Sequence, residues 1–120
     1  MDLKISHNIQ NIALDNGALN NERENDKIDK KRVWWVEAES VVGFINAYQH
    51  SGEKKFLESA RSVWDYIKAE MIDKREGSEW YSEVSYDHKP HDWKEIVGPW
   101  KCPYHNGRMC MEVINRGVDF

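Results

Sequence analysis

Residues 34–50 have the sequence WWVEAESVVGFINAYQH, and this stretch decides the fold because apolar and small side chains occur around most of the helix that it predicts. A helix that is apolar over most of its circumference is usually buried among neighbours. Residues 53–73 differ, since their apolar side chains recur at three- and four-residue steps and leave one face charged. We therefore expect an inner helix followed by a peripheral, amphipathic one.

Two weaker helical patterns flank this pair. Residues 2–15 have apolar side chains at mixed spacing, and the turn that contains Gly17 ends the pattern. Residues 104–116 form a predicted helix that starts after Pro103, whose fixed φ and missing N–H suit a helix start, and ends at Gly117.

The other segments lack a helical period. The polar stretch from Asn20 to Arg32 predicts a long surface loop. Residues 79–86 alternate loosely, which predicts a short strand or an extended loop, and residues 88–100 are predicted to be irregular. The chain is therefore expected to be all-α, with about four helices plus a short hairpin or extended loop.

Composition excludes several classes of protein. The 120-residue chain has a formal charge of −4 and no basic stripe, so we expect no nucleic-acid partner. No apolar run approaches the ~20 residues of a membrane span, and the first residues lack the apolar segment of a signal peptide. Two cysteines, Cys102 and Cys110, are too few for a disulfide framework. A cytoplasmic protein without membrane association is expected.

Two blocks of sequence resemble a known family: RVWWVEAE at residues 32–39 and WKCPYHNGRMCME at residues 100–112. The first resembles the Trp-Trp motif that opens an inner helix in the N-acylglucosamine 2-epimerase superfamily. The second, which is long and contains rare residues, resembles the signature near the C-terminus of the cellobiose 2-epimerases. Residues 16–19 resemble the segment before the first block. One departure is Glu37, where the family more often has Gln.

The resemblance implies an (α/α)6 barrel, a toroid of six inner and six outer helices. Residues 1–120 would then be the C-terminal segment of a single catalytic barrel domain, with its N-terminal part missing. Family members carry a second catalytic histidine on an earlier inner helix, and no match for that segment is present. His7 is not a candidate, because its surroundings resemble an outer helix.

The activity implied by the resemblance is epimerisation at C2 of the reducing-end glucose of cellobiose and related β-1,4-linked disaccharides, with no metal or other cofactor. The carbon beside the carbonyl of the open-chain sugar is a weak acid, so a base must remove its proton and an enediolate must be stabilised. The resemblance assigns one acid/base role to His105. If His105 lies in the first turn of a helix, the helix dipole disfavours the imidazolium and leaves a neutral ring that can accept a proton.

Aromatic residues near these blocks suit a carbohydrate site, because an indole has a flat apolar face and one donor. Trp35 and Trp100 are expected to stack on the substrate, and Tyr104 to contribute a hydroxyl. Trp64 and Trp80 are expected to pack in the core or between helices.

Three charged residues complete the predicted site. Glu39, at the start of a mostly apolar helix, needs a partner if it is buried, so we expect it to bind sugar or to orient the histidine. Arg108 lies on the same helix face as His105. It either binds a sugar oxygen or a carboxylate while Glu112 orients a neighbour, or it forms an intrahelical pair with Glu112.

Several alternatives stay open. The spacing of His88, His91, Cys102, His105 and Cys110 matches no zinc pattern, so we expect no metal site. Within the family, an N-acylglucosamine 2-epimerase or an aldose–ketose isomerase shares the chemistry. In another class, the chain is a non-catalytic sugar-binding remnant or a split subunit whose partner is the missing N-terminal part. The apolar faces of residues 34–50 and 104–116 would then be uncovered, and the isolated chain would epimerise poorly or not at all.

Overall fold

The computed structural model describes residues 3–120, in which four α-helices pack around one core. The helices are α1 (Leu3–Ile12), α2 (Trp34–Ser51), α3 (Lys54–Tyr66), which continues into a π-helical turn at Ile67–Met71, and α4 (Tyr104–Arg116). The predicted all-α class and the four helices are confirmed.

Helix α2 is central and packs against the other three helices. Its buried side chains include Ala38, Val42, Phe44 and Ala47, which lie on more than one side of the helix. Gly52 ends the helix in the left-handed region at φ 73°, and its N–H donates to the Tyr48 carbonyl at 2.7 Å. A glycine adopts this conformation without the steric cost that a Cβ would add.

Helix α3 covers α2 with one apolar face and exposes its charged face, as its period predicts. Phe56, Ala60 and Val63 are fully buried on that face, whereas Glu58 is exposed. After the π-helical turn the chain becomes extended at Ile72, which forms an isolated antiparallel bridge with Trp80.

The prediction of a long surface loop from Asn20 to Arg32 is wrong. Strands β3 (Glu22–Glu24) and β4 (Lys27–Asp29) form a hairpin, and Asn25 in its two-residue turn has a left-handed φ of 55°. Asn20 and Arg32 at the ends of the segment are buried. The hairpin was not predicted because its strands carry charged side chains on both faces. They therefore lack the alternation of apolar and polar residues that indicates a strand.

Two further short strand pairs shape the rest of the described chain. Strands β1 (Leu14–Asp15) and β2 (Ala18–Leu19) pair around Asn16 and Gly17. Strand β5 (Arg32–Val33) pairs with β6 (Glu83–Val84), so the predicted extended segment joins the strand that leads into α2. No helix between Leu3 and Phe120 is both long enough and apolar enough to cross a membrane.

The expectation of two uncovered apolar faces is only partly confirmed. Most of α2 is covered within the described residues, apart from Trp35 in its first turn. Helix α4 does expose apolar side chains, namely Tyr104, Met111 and Ile114. These three positions lie along one side of α4, because they follow helical spacing.

Candidate active site

His105 lies in the first turn of α4, opposite Glu39 on α2. Pro103 occupies the N-cap of α4, and its carbonyl accepts a hydrogen bond from the Gly107 N–H at 2.9 Å. His105 Nδ1 lies 2.9 Å from Glu39 Oε1. A carboxylate accepts a hydrogen bond from an N–H, so this contact favours the tautomer with its proton on Nδ1. The Nε2 lone pair is then available to another molecule.

Glu39 also receives a hydrogen bond from Arg108, which joins α2 to α4 a second time. Arg108 Nη1 donates to Glu39 Oε2 at 2.7 Å, and both side chains are about one-third exposed. Glu112 instead accepts a hydrogen bond from Arg116 Nε at 3.0 Å. The intrahelical Arg108–Glu112 pair considered from the sequence is therefore not formed. Arg108 compensates the charge of the carboxylate that holds the histidine ring.

Aromatic rings surround the His105 imidazole. The centroid of Trp35 lies 5.8 Å from that of His105, and the centroid of Tyr104 lies 5.0 Å away with its ring nearly perpendicular. Trp34 presents an edge at 6.5 Å. Trp35 is 44% exposed and Tyr104 64% exposed, so both offer free ring surface beside the histidine.

A cleft of about 540 Å³ lies beside this cluster. Its lining residues are Asn21, Lys31, Val33, Trp34, Trp35, Glu83, Trp100 and His105. Trp100 is 89% exposed, which is unusual for so large an apolar side chain. The structure therefore brings Trp35, Trp100 and His105 to one cleft, with Tyr104 against the histidine and Glu39 and Arg108 behind it. The tryptophans expected in packing roles lie elsewhere, Trp80 buried and Trp64 half-buried.

Glu83 is a charged residue of the cleft that the sequence did not indicate. His91 Nδ1 lies 2.9 Å from its Oε2, and Lys94 Nζ donates to its Oε1 at 3.1 Å. Burial acts to raise the pKa of Glu83, but these hydrogen bonds and the charge of Lys31 outweigh burial and lower that pKa. Glu83 is therefore negatively charged at neutral pH, and it lines the cleft. The only relevant sequence signal is the loose alternation around Ser82 and Val84, which predicts an extended segment but not a position in the cleft.

Glu37 lies in the core and not in the cleft. Its side chain is fully buried, and its Oε1 accepts a hydrogen bond from the Leu19 N–H at 2.6 Å. Burial raises the pKa of Glu37 to about 8, and the opposing effects of the Leu19 N–H and of Arg32 do not cancel it. A carboxyl with this pKa is mostly protonated at neutral pH and then resembles the glutamine amide in shape and charge.

The histidines and cysteines that are close in sequence do not form one cluster. His88 lies near Glu70, His91 near Glu83 and His105 near Glu39, while Cys102 and Cys110 are exposed. Within residues 3–120, no group of three or more His, Cys, Asp and Glu side chains is arranged to hold a metal ion.

Sequence comparison relates the chain to one family. The sequence profile described as N-acylglucosamine 2-epimerase (GlcNAc 2-epimerase) matches residues 7–107. A cellobiose 2-epimerase of Ruminococcus albus is 79% identical over 119 residues, which are 99% of this chain. The chain spans about 31% of the length of that relative.

Solved structures agree with the sequence comparison. A sugar epimerase from a ruminal bacterium is 78% identical, with a TM-score of 0.96 over 98% of this chain and 30% of its own. Cellobiose 2-epimerase from Bacillus thermoamylovorans is 51% identical, with a TM-score of 0.91 over 95% of this chain and 29% of its own. The predicted relationship to this α/α-barrel family is thereby confirmed.

Proposed function

We propose, since the chain belongs to the N-acylglucosamine 2-epimerase family, that it supplies one acid/base histidine and part of the sugar site of a cellobiose 2-epimerase. The substrate would be cellobiose or a related β-1,4-linked disaccharide, and C2 of its reducing-end glucose would be inverted. Relatives that carry the cellobiose 2-epimerase name at 79% and 47% identity favour this substrate over N-acylglucosamine or a free aldose.

One observation carries the proposal: Glu39 engages His105 Nδ1, which leaves Nε2 as the basic atom beside the aromatic cleft. In the open-chain sugar, C2 lies next to the aldehyde. His105 Nε2 takes the C2 proton, the electron pair moves onto the carbonyl oxygen, and an enediolate forms. The imidazolium so formed is stabilised by Glu39, while the hydrogen bond from Arg108 holds that carboxylate in place.

Inversion requires that a proton return to the opposite face of C2. A single imidazole on one face exchanges the proton but does not invert the carbon. The resemblance places the second acid/base group on an inner helix that has no match in this chain. We therefore infer that the isolated chain epimerises poorly or not at all, and that residues 1–120 form the C-terminal segment of one barrel domain.

The aromatic side chains fit the binding of a disaccharide. Trp100 and Trp35 line the cleft with exposed ring surface, on which the C–H faces of two pyranose units can stack. Tyr104 lies against the His105 ring and is mostly exposed, so it can contribute its hydroxyl to a bound sugar. The proposed reaction uses no metal or other cofactor. We also propose that the protein is located in the cytoplasm.

The remainder of the barrel is the partner that this chain requires. Tyr104, Met111 and Ile114 are 61–76% exposed along α4, the helix that carries His105. Apolar exposure of this kind marks an interface. Since relatives are about three times as long, we propose that their additional helices cover this side of α4 and close the cleft.

Reconstitution tests the proposed function. The chain is incubated with cellobiose alone and together with the part of the Ruminococcus albus relative that lies outside the match, produced as a separate polypeptide. We expect glucosyl-mannose only from the mixture. Efficient epimerisation by this chain alone would refute the requirement for a partner, and N-acetylglucosamine or free mannose as the preferred substrate would refute the assignment to cellobiose.

A further inference from the structure

A partly buried carboxylate, that of Glu79, links two segments that carry site residues. Glu79 Oε2 accepts a hydrogen bond from Lys101 Nζ, and Glu79 Oε1 accepts one from Asn106 Nδ2. Lys101 and Asn106 flank the four residues that include His105. Lys101 directly follows Trp100, and Asn106 directly follows His105, so each partner of Glu79 is the chain neighbour of a site residue.

The ion pair is shielded from water. The Lys101 side chain is 4% exposed and the Glu79 side chain 20% exposed. Lys101 Nζ also donates to the Ile96 carbonyl at 3.2 Å and lies 5.4 Å from the centroid of the Trp34 ring. An ammonium group with these neighbours is costly to leave without its carboxylate, because the low local dielectric strengthens the pair and penalises an unpaired charge.

Lys101 belongs to a tight turn at residues 98–101, here called the Trp100 turn. The Gly98 N–H donates to the Lys101 carbonyl at 2.8 Å, and the Lys101 N–H donates to the Gly98 carbonyl at 3.3 Å. This turn holds Trp100 out of the core at 89% exposure. Since Trp100 makes little packing contact of its own, the anchored Lys101 side chain fixes where the indole stands.

Asn106 belongs to the first turn of α4 at residues 103–107, here called the His105 turn. Asn106 is 7% exposed, and the hydrogen bond to Glu79 restrains the rotation of this turn about the helix axis. Glu39 on α2 holds Nδ1 of the His105 ring, while Glu79 holds the side chain of the next residue, Asn106. These two hydrogen bonds, one to the His105 ring and one to the adjacent residue, together set the direction in which Nε2 points.

We propose that Glu79 is a positioning residue that sets Trp100 and His105 relative to each other through Lys101 and Asn106. This inference rests on the proposed function, because it gives Glu79 a purpose only if those two residues act on one sugar. Glu79 touches neither substrate nor reacting atoms. A single carboxylate thereby couples the sugar-stacking residue to the acid/base residue.

The test compares E79Q, K101M and N106A with E112Q, which weakens a half-buried pair with Arg116 and serves as the matched control. Amide hydrogen exchange is measured by NMR in the full chain at Gly98, Gly107 and the buried α2 residue Phe44. We expect E79Q to accelerate Gly98 and Gly107 by about 10-fold, K101M to accelerate Gly98 alone and N106A to accelerate Gly107 alone. In E112Q, the exchange rates of all three amides should change less than about twofold. The exchange rate of the Phe44 amide should change less than about twofold in every variant.

The ring nitrogens of His105 provide a readout that general stability does not move. Their ¹⁵N shifts should show one tautomer in the parent chain and in K101M, and a mixture of tautomers in E79Q and N106A. Uniform acceleration at Gly98, Gly107 and Phe44 would reduce Glu79 to a stabilising residue and overturn the proposal, as would an E79Q chain indistinguishable from the parent. Failure of the reconstituted mixture to epimerise cellobiose would instead refute the proposed function and leave these exchange patterns unaffected.

Discussion

Replacing Glu37 with glutamine is expected to stabilise the chain by an amount that grows as the pH rises. The glutamine keeps the side-chain volume and an acceptor for the Leu19 N–H, which Glu37 Oε1 accepts at 2.6 Å. It removes a carboxyl whose pKa burial raises from 4.5 to about 8. Because the folded state holds the proton more tightly than the unfolded state, the protonated carboxyl favours folding below pH 4.5. That advantage is lost as the pH rises through 8.

The size of the effect follows from the two pKa values. Each pH unit between 4.5 and 8 removes about 1.4 kcal/mol from the free energy of unfolding, so the whole interval corresponds to about 5 kcal/mol. Between pH 5.5 and 7.5 the advantage of E37Q over the parent should grow by about 3 kcal/mol, a large part of the stability of a small domain. The nearby Arg32 does not remove the effect, because its charge lowers the pKa of Glu37 less than burial raises it. The hydrogen bonds of Arg32 go to the backbone carbonyls of Asp15 and Ala18 and to the side-chain oxygen of Asn20.

Urea unfolding followed by far-UV circular dichroism at several pH values measures this difference. Subtracting the parent curve from that of E37Q cancels the histidines and the other groups that both chains share. E58Q, the same substitution at an exposed position of α3, is the matched control and should give a difference independent of pH. Parallel curves for the parent and E37Q between pH 5.5 and 7.5 would show that Glu37 is ionised in the folded chain and would refute the reasoning.

Three further predictions concern the reconstituted mixture. E39Q should lower the rate of epimerisation by about 100-fold, because the amide cannot stabilise the imidazolium, and a rate within threefold of the parent would remove Glu39 from the site. W100A should raise KM for cellobiose by about 3- to 10-fold with little change in kcat, as measured by initial rates, and a selective loss of kcat would contradict a stacking role. I114E on the exposed side of α4 should weaken assembly with the complementary polypeptide by about 10-fold or more in a titration of activity, whereas the same substitution at exposed Ile12 on α1 should weaken it less.

The helices could be predicted because the signals that indicate them lie within each segment's own sequence. The apolar circumference of α2 and the single apolar face of α3 follow from local spacing, and Pro103 and Gly117 bracket α4. The hairpin of residues 22–29 could not be predicted in this way. Its strands carry charges on both faces, and only Asn25 in the turn, with its tolerance of a left-handed φ, signals the reversal.

The same distinction, between local sequence patterns and contacts distant in sequence, applies to the candidate site. His105 and Trp100 stand in one distinctive block, whereas Glu39 and Arg108 meet across 69 positions of sequence. The partners of Glu79 lie 22 and 27 positions away, and Glu83 enters the cleft only because β6 pairs with β5. Contacts of this range depend on how helices and strands pack, which no local period encodes.

Transfer of hydrogen between His105 and C2 of the sugar is measured most directly by deuterium incorporation at C2 of recovered cellobiose in heavy water. The parent and H105Q chains are compared, each mixed with the complementary part of the Ruminococcus albus relative. We predict deuterium at C2 of both the glucose- and mannose-containing products for the parent, and neither label nor epimer above background for H105Q. Undiminished C2 exchange in H105Q, with the variant folded by circular dichroism, would show that another group removes the proton.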